Sequence, residues 1–218
     1  MSSSPFLIPD HRHYAEILTD AAVHVLETRG VDRFSVAALA RWMKVTPVAI
    51  NNHYSRARVI ELITICFCRR WLHWSFSDAR WVRASHPCPA LLPRTPEERH
   101  GVRVLQALTE LAHCEAVQGH PLPQQHLARM REEEREMLES RLTQLAPDRI
   151  YRPVPARDMR GLMSLLWGLR QALVEEPRRL LWDEACQLFA EAARAVASSE
   201  PDGRTRPPDL LPPNEPAA

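Results

Sequence analysis

Glycine is scarce in this chain, with six residues in 218. An all-β or α/β fold needs more tight turns than so few glycines favour. Lysine is nearly absent: Lys44 stands alone against 27 arginines. That bias fits GC-rich coding and carries no function by itself. Neither sign of charge dominates, since 28 basic and 27 acidic residues leave a formal net charge of +1. The balance excludes a wholly basic nucleic-acid protein and a highly charged disordered chain, but it leaves room for one basic end. No run of 18 apolar residues exists, so no membrane span is expected. Residues 1–9 lack a basic region followed by an apolar run, so no signal peptide is expected. The five cysteines have no regular spacing. Cys66 and Cys68 lie two apart in an apolar run, and no CxxC-type spacing with His partners offers a zinc site. No metal and no cofactor are expected, and a reducing cytoplasm is the expected compartment.

What is present is helical periodicity, and it predicts an all-α fold. From His11 to Arg29 the apolar positions Tyr14, Ile17, Leu18, Ala21, Ala22, Val25 and Leu26 make one helix stripe, stopped by Gly30. Ser35 caps a short second helix that carries Val36, Leu39, Ala40 and Met43 inward. Lys44-Val45 is a turn. Thr46 caps a third helix, predicted over Val48 to about Tyr54, with Pro47 at its first position, where a missing N–H costs nothing. A fourth, long helix is predicted from about Arg58 to Ala84. It is apolar nearly all round at its start, so it is expected to join two packed units.

His86 to Pro96 holds four prolines and reads as a loop. Helices are predicted over about Glu97–Val117 and 122–145, the latter with Leu127, Met130, Met137, Leu138, Leu142 and Leu145 inward. The Arg/Glu run from Arg129 to Arg141 reads as a solvated face with three- and four-spaced ion pairs. Two last helices, about Arg157–Val174 and Arg178–Ala197, are separated by Glu175-Glu176-Pro177. Residues 199–218 contain six prolines and are expected to be a disordered tail. The expected organisation is a flexible arm (1–9), a three-helix unit (10–56), a helical domain (57–198) and the tail (199–218).

Three short helices with a tight turn between the second and third form a helix-turn-helix unit. In that geometry the second helix crosses the DNA backbone and the third presents its first residues to base edges in the major groove. Those residues are Pro47, Val48, Asn51 and Asn52. Asn bonds adenine at two points, and Val48 suits a thymine methyl. Ser35, Thr46, His53, Arg56 and Arg58 are candidates for phosphate contacts. Residues 1–70 carry nine basic and six acidic residues, so this end is the more basic one.

The stretch from Ile17 to Ile60 resembles the tetracycline-repressor-like (TetR) family of bacterial regulators. The residues that carry the resemblance are Ala21-Ala22, Gly30, Phe34, Ser35, Leu39-Ala40, Lys44-Val45-Thr46 and Asn51-Asn52-His53-Tyr54. It covers about 45 residues and is specific as an ensemble. The chain departs from the family pattern at Lys44, which stands where the turn glycine is usual. It departs again at Asn51, in place of a tyrosine, and at Ala57, in place of a phosphate-contacting lysine. The resemblance implies a homodimer that binds double-stranded DNA at a palindromic operator, with a second domain for ligand binding and dimerisation. An all-helical enzyme would need a nucleophile–base pair or a metal cluster. Cys114 beside His113 is the nearest thing, and adjacent helical residues point to different sides, so no enzymatic activity is expected.

The last two predicted helices support a seam independently. Leu162, Leu166, Leu169 and Leu173 recur beside Gly161, Gly168 and Ala172. Leu181, Ala185, Leu188, Ala192 and Val196 recur in the other. Small residues allow close helix approach, and two such helices from two chains make a four-helix bundle. The bland alternative is that both stripes face only the monomer's own core. Pocket candidates are Phe67, Trp71 and Trp74 on the fourth helix, with Leu108, Leu111, Cys114, Met130, Met163 and Trp167 opposite. They point to a small, mainly apolar effector. Such a stripe is more often plain core than pocket. The competing function is a helical dimerisation or adaptor protein whose reading head no longer binds DNA specifically.

Overall fold

The computed structural model describes residues 11–77, 91–145, 154–175 and 180–198. Within them lie eight α-helices and no strand. They are α1 His11–Arg29, α2 Val36–Trp42, α3 Pro47–Asn51, α4 Arg56–Phe76, α5 Pro96–Val117, α6 Leu122–Leu145, α7 Ala156–Val174 and α8 Trp182–Ser198, with a 3-10 turn at Val31–Arg33. None of them is long and apolar enough to cross a membrane. The predicted arm and tail, residues 1–9 and 199–218, fall outside the described residues.

Local chemistry sets most of these bounds. Gly30, at φ 72°, ends α1 in a conformation that L side chains resist. The Ser35, Thr46 and Ser55 hydroxyls accept the backbone N–H groups of Ala38, Ala49 and Arg58, so three consecutive helices start on capped ends. Thr95 and Glu98 form a reciprocal capping box, with Pro96 in the first helical position of α5.

The bounds differ from prediction at three places. Helix α3 ends at Asn51, not Tyr54, because Asn52 closes it and Tyr54 leaves to stack on Tyr14 at 5.9 Å. Helix α4 starts two residues earlier than predicted, on the Ser55 cap, and ends at Phe76, where Ser77 turns extended. Helix α8 starts at Trp182.

Two apolar clusters make the core. The first runs from α1 (Leu18, Ala21, Ala22, Val25) through α2 and α3 (Leu39, Ile50) into α4 (Val59, Ile60, Ile63, Phe67) and α5 (Val102, Leu105, Leu108). It crosses position 57 without a break. The three-helix unit therefore does not close on itself; α1 packs on both α4 and α5. The second cluster joins Phe76, Leu91 and Leu92 to α7 (Met159, Leu162, Leu166, Leu169, Leu173) and α8 (Ala185, Phe189, Ala193). Leu91 and Leu92, placed by the sequence in a Pro-rich loop, have no exposed surface at all. Each such side chain contributes about 1.5–3 kcal/mol of burial.

The charged run on α6 is only partly a solvated face. Arg129 pairs with Glu133, and Arg135 pairs with Glu132 and Glu139, at the predicted spacings. Glu134 instead points inward and is fully buried. It lies on the inward stripe of Leu127, Met130, Leu138 and Leu142, and Met137, expected inside, is 41% exposed beside it. The side chain of Leu145 lies outside the described residues.

The partner of Glu134 is Arg170 of α7, also without exposed surface, at 2.7 Å. Arg170 Nε donates to the Leu91 carbonyl at 3.0 Å, and Trp71 Nε1 of α4 donates to Glu134 Oε1 at 3.3 Å. The guanidinium carbon lies 4.9 Å from the ring centres of both Trp71 and Trp167. Two charges removed from water cost several kcal/mol each, and only a close pair with further hydrogen bonds and ring contacts offsets that.

Arg170→Met is expected to destabilise the chain by about 3–5 kcal/mol, because it leaves Glu134 buried and unpaired. The double variant Glu134→Leu with Arg170→Met is expected to recover most of the loss. Urea unfolding of the three proteins checks this. A loss under about 1 kcal/mol in the single variant, the value of an exposed pair, would show that water reaches Glu134.

Candidate nucleic-acid interface

Helix α3 is presented outward by its own sequence. Ile50 is its one fully buried residue and ties it to the core. Thr46, Pro47, Val48, Asn51, Asn52 and His53 are all exposed, with Val48 at 62%. Thr46 uses its oxygen to cap α3, which leaves its hydroxyl proton free to donate. Ser35 does the same for α2 and is half-buried.

The turn between α2 and α3 is tight. Val45 N–H donates to the Ala40 carbonyl at 2.9 Å, and Met43 N–H to the Leu39 carbonyl at 2.9 Å. The link requires Lys44 at φ 57°. Lys44 is the single non-glycine residue with positive φ among the described residues. A lysine held in the left-handed region costs on the order of 1 kcal/mol against glycine.

The two arginines expected on phosphates are already engaged. Arg56 Nε bonds Glu115 Oε1 at 3.0 Å, and Arg58 Nη1 bonds Glu61 Oε1 at 2.6 Å. The carboxylates are buried and the arginines half-exposed. His126 Nε2 lies 3.6 Å from the same Glu61 oxygen. These contacts lash the start of α4 to the α5–α6 corner. Arg41, at the end of α2, and Lys44, in the turn, are instead exposed with no ion-pair partner among the described residues. Both precede α3, and the sequence reading named neither as a candidate DNA contact. Their signal was position: Arg41 stands in the last turn of α2 and Lys44 in the turn before α3.

The residues proposed for a ligand pocket are brought together, but as packed core. Phe67, Trp71, Leu108, Leu111 and Met130 are buried. Phe67, Trp74 and Trp167 surround Trp71 at ring-centre distances of 6.4, 5.0 and 6.0 Å. Cys114 faces solvent. Of the set, Met163 and Trp167 line a cleft of about 420 Å³ between α6 and α7. Among the described residues no three His, Cys, Asp or Glu side chains are placed to hold a metal ion.

No protein-family model and no curated protein matches the chain. Solved structures do match its fold. One is a protein from Rhodococcus sp. assigned to the TetR family of transcriptional regulators. Its TM-score is 0.64 at 17% identity, covering 84% of this chain and 98% of that one. Another is a transcriptional regulator from Pseudomonas aeruginosa PAO1, with a TM-score of 0.62 at 18% identity, covering 88% of this chain and 94% of that one. The chain therefore has the fold of these proteins: an N-terminal helix-turn-helix unit followed by a helical domain.

Lys44→Gly is expected to raise the unfolding free energy by about 1 kcal/mol, since it relieves the left-handed strain. Lys44→Val should lower it, because a β-branched side chain resists that region most. Paired urea melts read both. Equal stability of the three proteins would mean that the turn adopts another conformation in solution.

Proposed function

We propose that the chain is a DNA-binding transcriptional regulator that acts as a homodimeric, ligand-responsive repressor of a palindromic operator. The observation that carries this reading is the exposure of α3 on a capped, tightly turned helix pair, with Val48, Asn51 and Asn52 free of internal partners among the described residues. Asparagine reads adenine, and valine suits a thymine methyl. The shared fold with the two regulators supports the class of function.

Dimerisation is supported by what α7 and α8 leave outside. Their leucine stripe, Leu162, Leu166, Leu169 and Leu173, fills the monomer's own core, as do Ala185 and Phe189. Gly161 and Gly168 lie on the opposite side of α7, exposed, with open space around each. On α8, Leu181 is 65% and Leu188 46% exposed. Small residues on one helix and bare leucines on the other suit a second copy of the chain. A two-fold dimer would read half-sites about 34–36 Å apart.

One observation favours the second reading, a helical dimerisation protein that no longer reads DNA. Helix α3 carries no cation, and Arg56 and Arg58 are committed to glutamates. Selection of bound duplexes from a random pool separates the two. The regulator should retain a palindrome, and Asn51→Ala or Asn52→Ala should relax preference at one position per half-site by about 1–3 kcal/mol. A pool that stays random would leave the adaptor reading standing.

Leu188→Glu should place a charge in the seam and convert dimer to monomer at micromolar concentration, read by sedimentation. An unmutated chain that sediments as a monomer would refute the dimer.

A further inference from the structure

We infer that the cleft between α6 and α7 binds an organic anion with a flat apolar body, such as an aromatic carboxylate. This deepens the proposed regulator by naming the chemical class of its effector, and it rests on that reading for its consequence at DNA. The cleft of about 420 Å³ falls within the usual range for small-molecule sites. Its apolar wall is Met163 and Trp167, both half-buried. Around that wall stand Arg131, Arg135 and Arg160, with Ser164 as a hydroxyl donor and Glu132 the one carboxylate among the lining residues.

The charges do not cancel. Glu132 is taken by Arg135, which Glu139 also contacts. Arg131 and Arg160 are exposed, and neither has a carboxylate partner among the described residues. On a helix where Arg129 and Arg135 are both paired, Arg131 is the exception; it lies over the Trp167 ring, 5.8 Å from its centre. A guanidinium beside an aromatic wall offers a carboxylate two parallel N–H donors while the ring takes the flat body. The neighbouring cleft between α5 and α7, about 470 Å³, shares Arg131 and Trp167. There two arginines and two glutamates line the space, so its lining charges balance. The unbalanced cleft is the one that selects an anion.

The position gives such a ligand leverage. Trp167 contacts Arg170 and Trp71, so the cleft wall touches the buried pair that joins α7 to α6 and α4. A ligand that shifts Trp167 acts on the helix whose start carries the reading head.

The test is calorimetric titration of the full chain with 2-naphthoate and with its neutral isostere 2-naphthamide, at low salt. The naphthoate should bind at least tenfold more tightly. Arg131→Gln and Arg160→Gln, both at exposed positions, should each shrink that preference several-fold. Arg129→Gln, on the solvent face, should leave it unchanged. Equal affinity for the two compounds, no binding of naphthoate at millimolar concentration, or full preference in both cleft variants would overturn the site. Duplex selection on the same protein separates the two claims. Naphthoate discrimination without DNA retention refutes the regulator and leaves the site. DNA retention without naphthoate binding refutes the site and leaves the regulator.

Discussion

A guanidinium with no exposed surface organises the helical domain. Arg170 has to find partners for its charge or it cannot be buried, and its partners come from segments far apart in sequence. Glu134 is 36 residues away and Leu91 is 79. Trp71 lies against both members of the pair from α4. Apolar helices alone slide and rotate at modest cost, because a leucine accepts many neighbours. A buried ion pair accepts few. Rotating α6 by one residue would take Glu134 about 100° away and leave Arg170 unpaired. Helices α4, α6 and α7 are therefore held in one register, and the Leu91–Leu92 segment is pinned beneath them. Even so the pair is not saturated, since Glu134 Oε2 and Arg170 Nη2 have no hydrogen-bond partner among the described residues. The arrangement gives specificity of packing more than raw stability.

This centre is also where sequence reading stopped. Periodicity placed α1, α2, α5, α6 and α7 to within a residue or two, because their stripes repeat at three and four and their ends carry Gly30, Ser35, Thr95 or Pro96. It failed at Glu134 because a carboxylate inside an Arg/Glu run looks like its solvated neighbours. Only the position of Glu134 on the stripe of Leu127, Met130 and Leu138 marks it. Arg170, three residues after Trp167 and between Leu169 and Leu173, carries the same hidden signal. Leu91 and Leu92 were lost to the prolines around them. Composition named the loop, and two adjacent leucines in it were the sign of an anchor.

The helix-turn-helix unit shows the opposite case. The Ser35 and Thr46 caps, the turn and the outward face of α3 follow from local chemistry, so they were legible residue by residue. What local chemistry could not supply was the partner of each arginine. Arg56 and Arg58 look like free cations next to the exposed α3. Their glutamates are one turn along α4, at Glu61, and 59 residues away, at Glu115. A salt bridge across such a separation is a tertiary fact. Arg41 and Lys44, without ion-pair partners among the described residues, stand out only after the paired cations are removed.

In the proposed regulator the same bridges decide how a signal could reach DNA. The core of the head continues into α4 and α5, Arg70 of α4 pairs with Asp20 of α1, and Arg56 pairs with Glu115 at the end of α5. The head therefore cannot swing as an independent body without exposing Leu18, Ala22 and Val59. It moves with α4. A change in the helical domain that displaces the α5–α6 corner by an ångström or two strains the Arg56–Glu115 and Arg58–Glu61–His126 contacts first. Glu115, with 2% of its side chain exposed, cannot simply return to water, so it favours dragging Arg56 with it over releasing it. Buried acids on the helical domain and half-exposed arginines on the first turn of α4 thus form a stiff joint. Stiffness is what the proposed two-headed reader would need. Two half-sites one helical turn apart are recognised together only when each head's position follows from its own domain, and a flexible tether would blur the spacing that makes the pair selective.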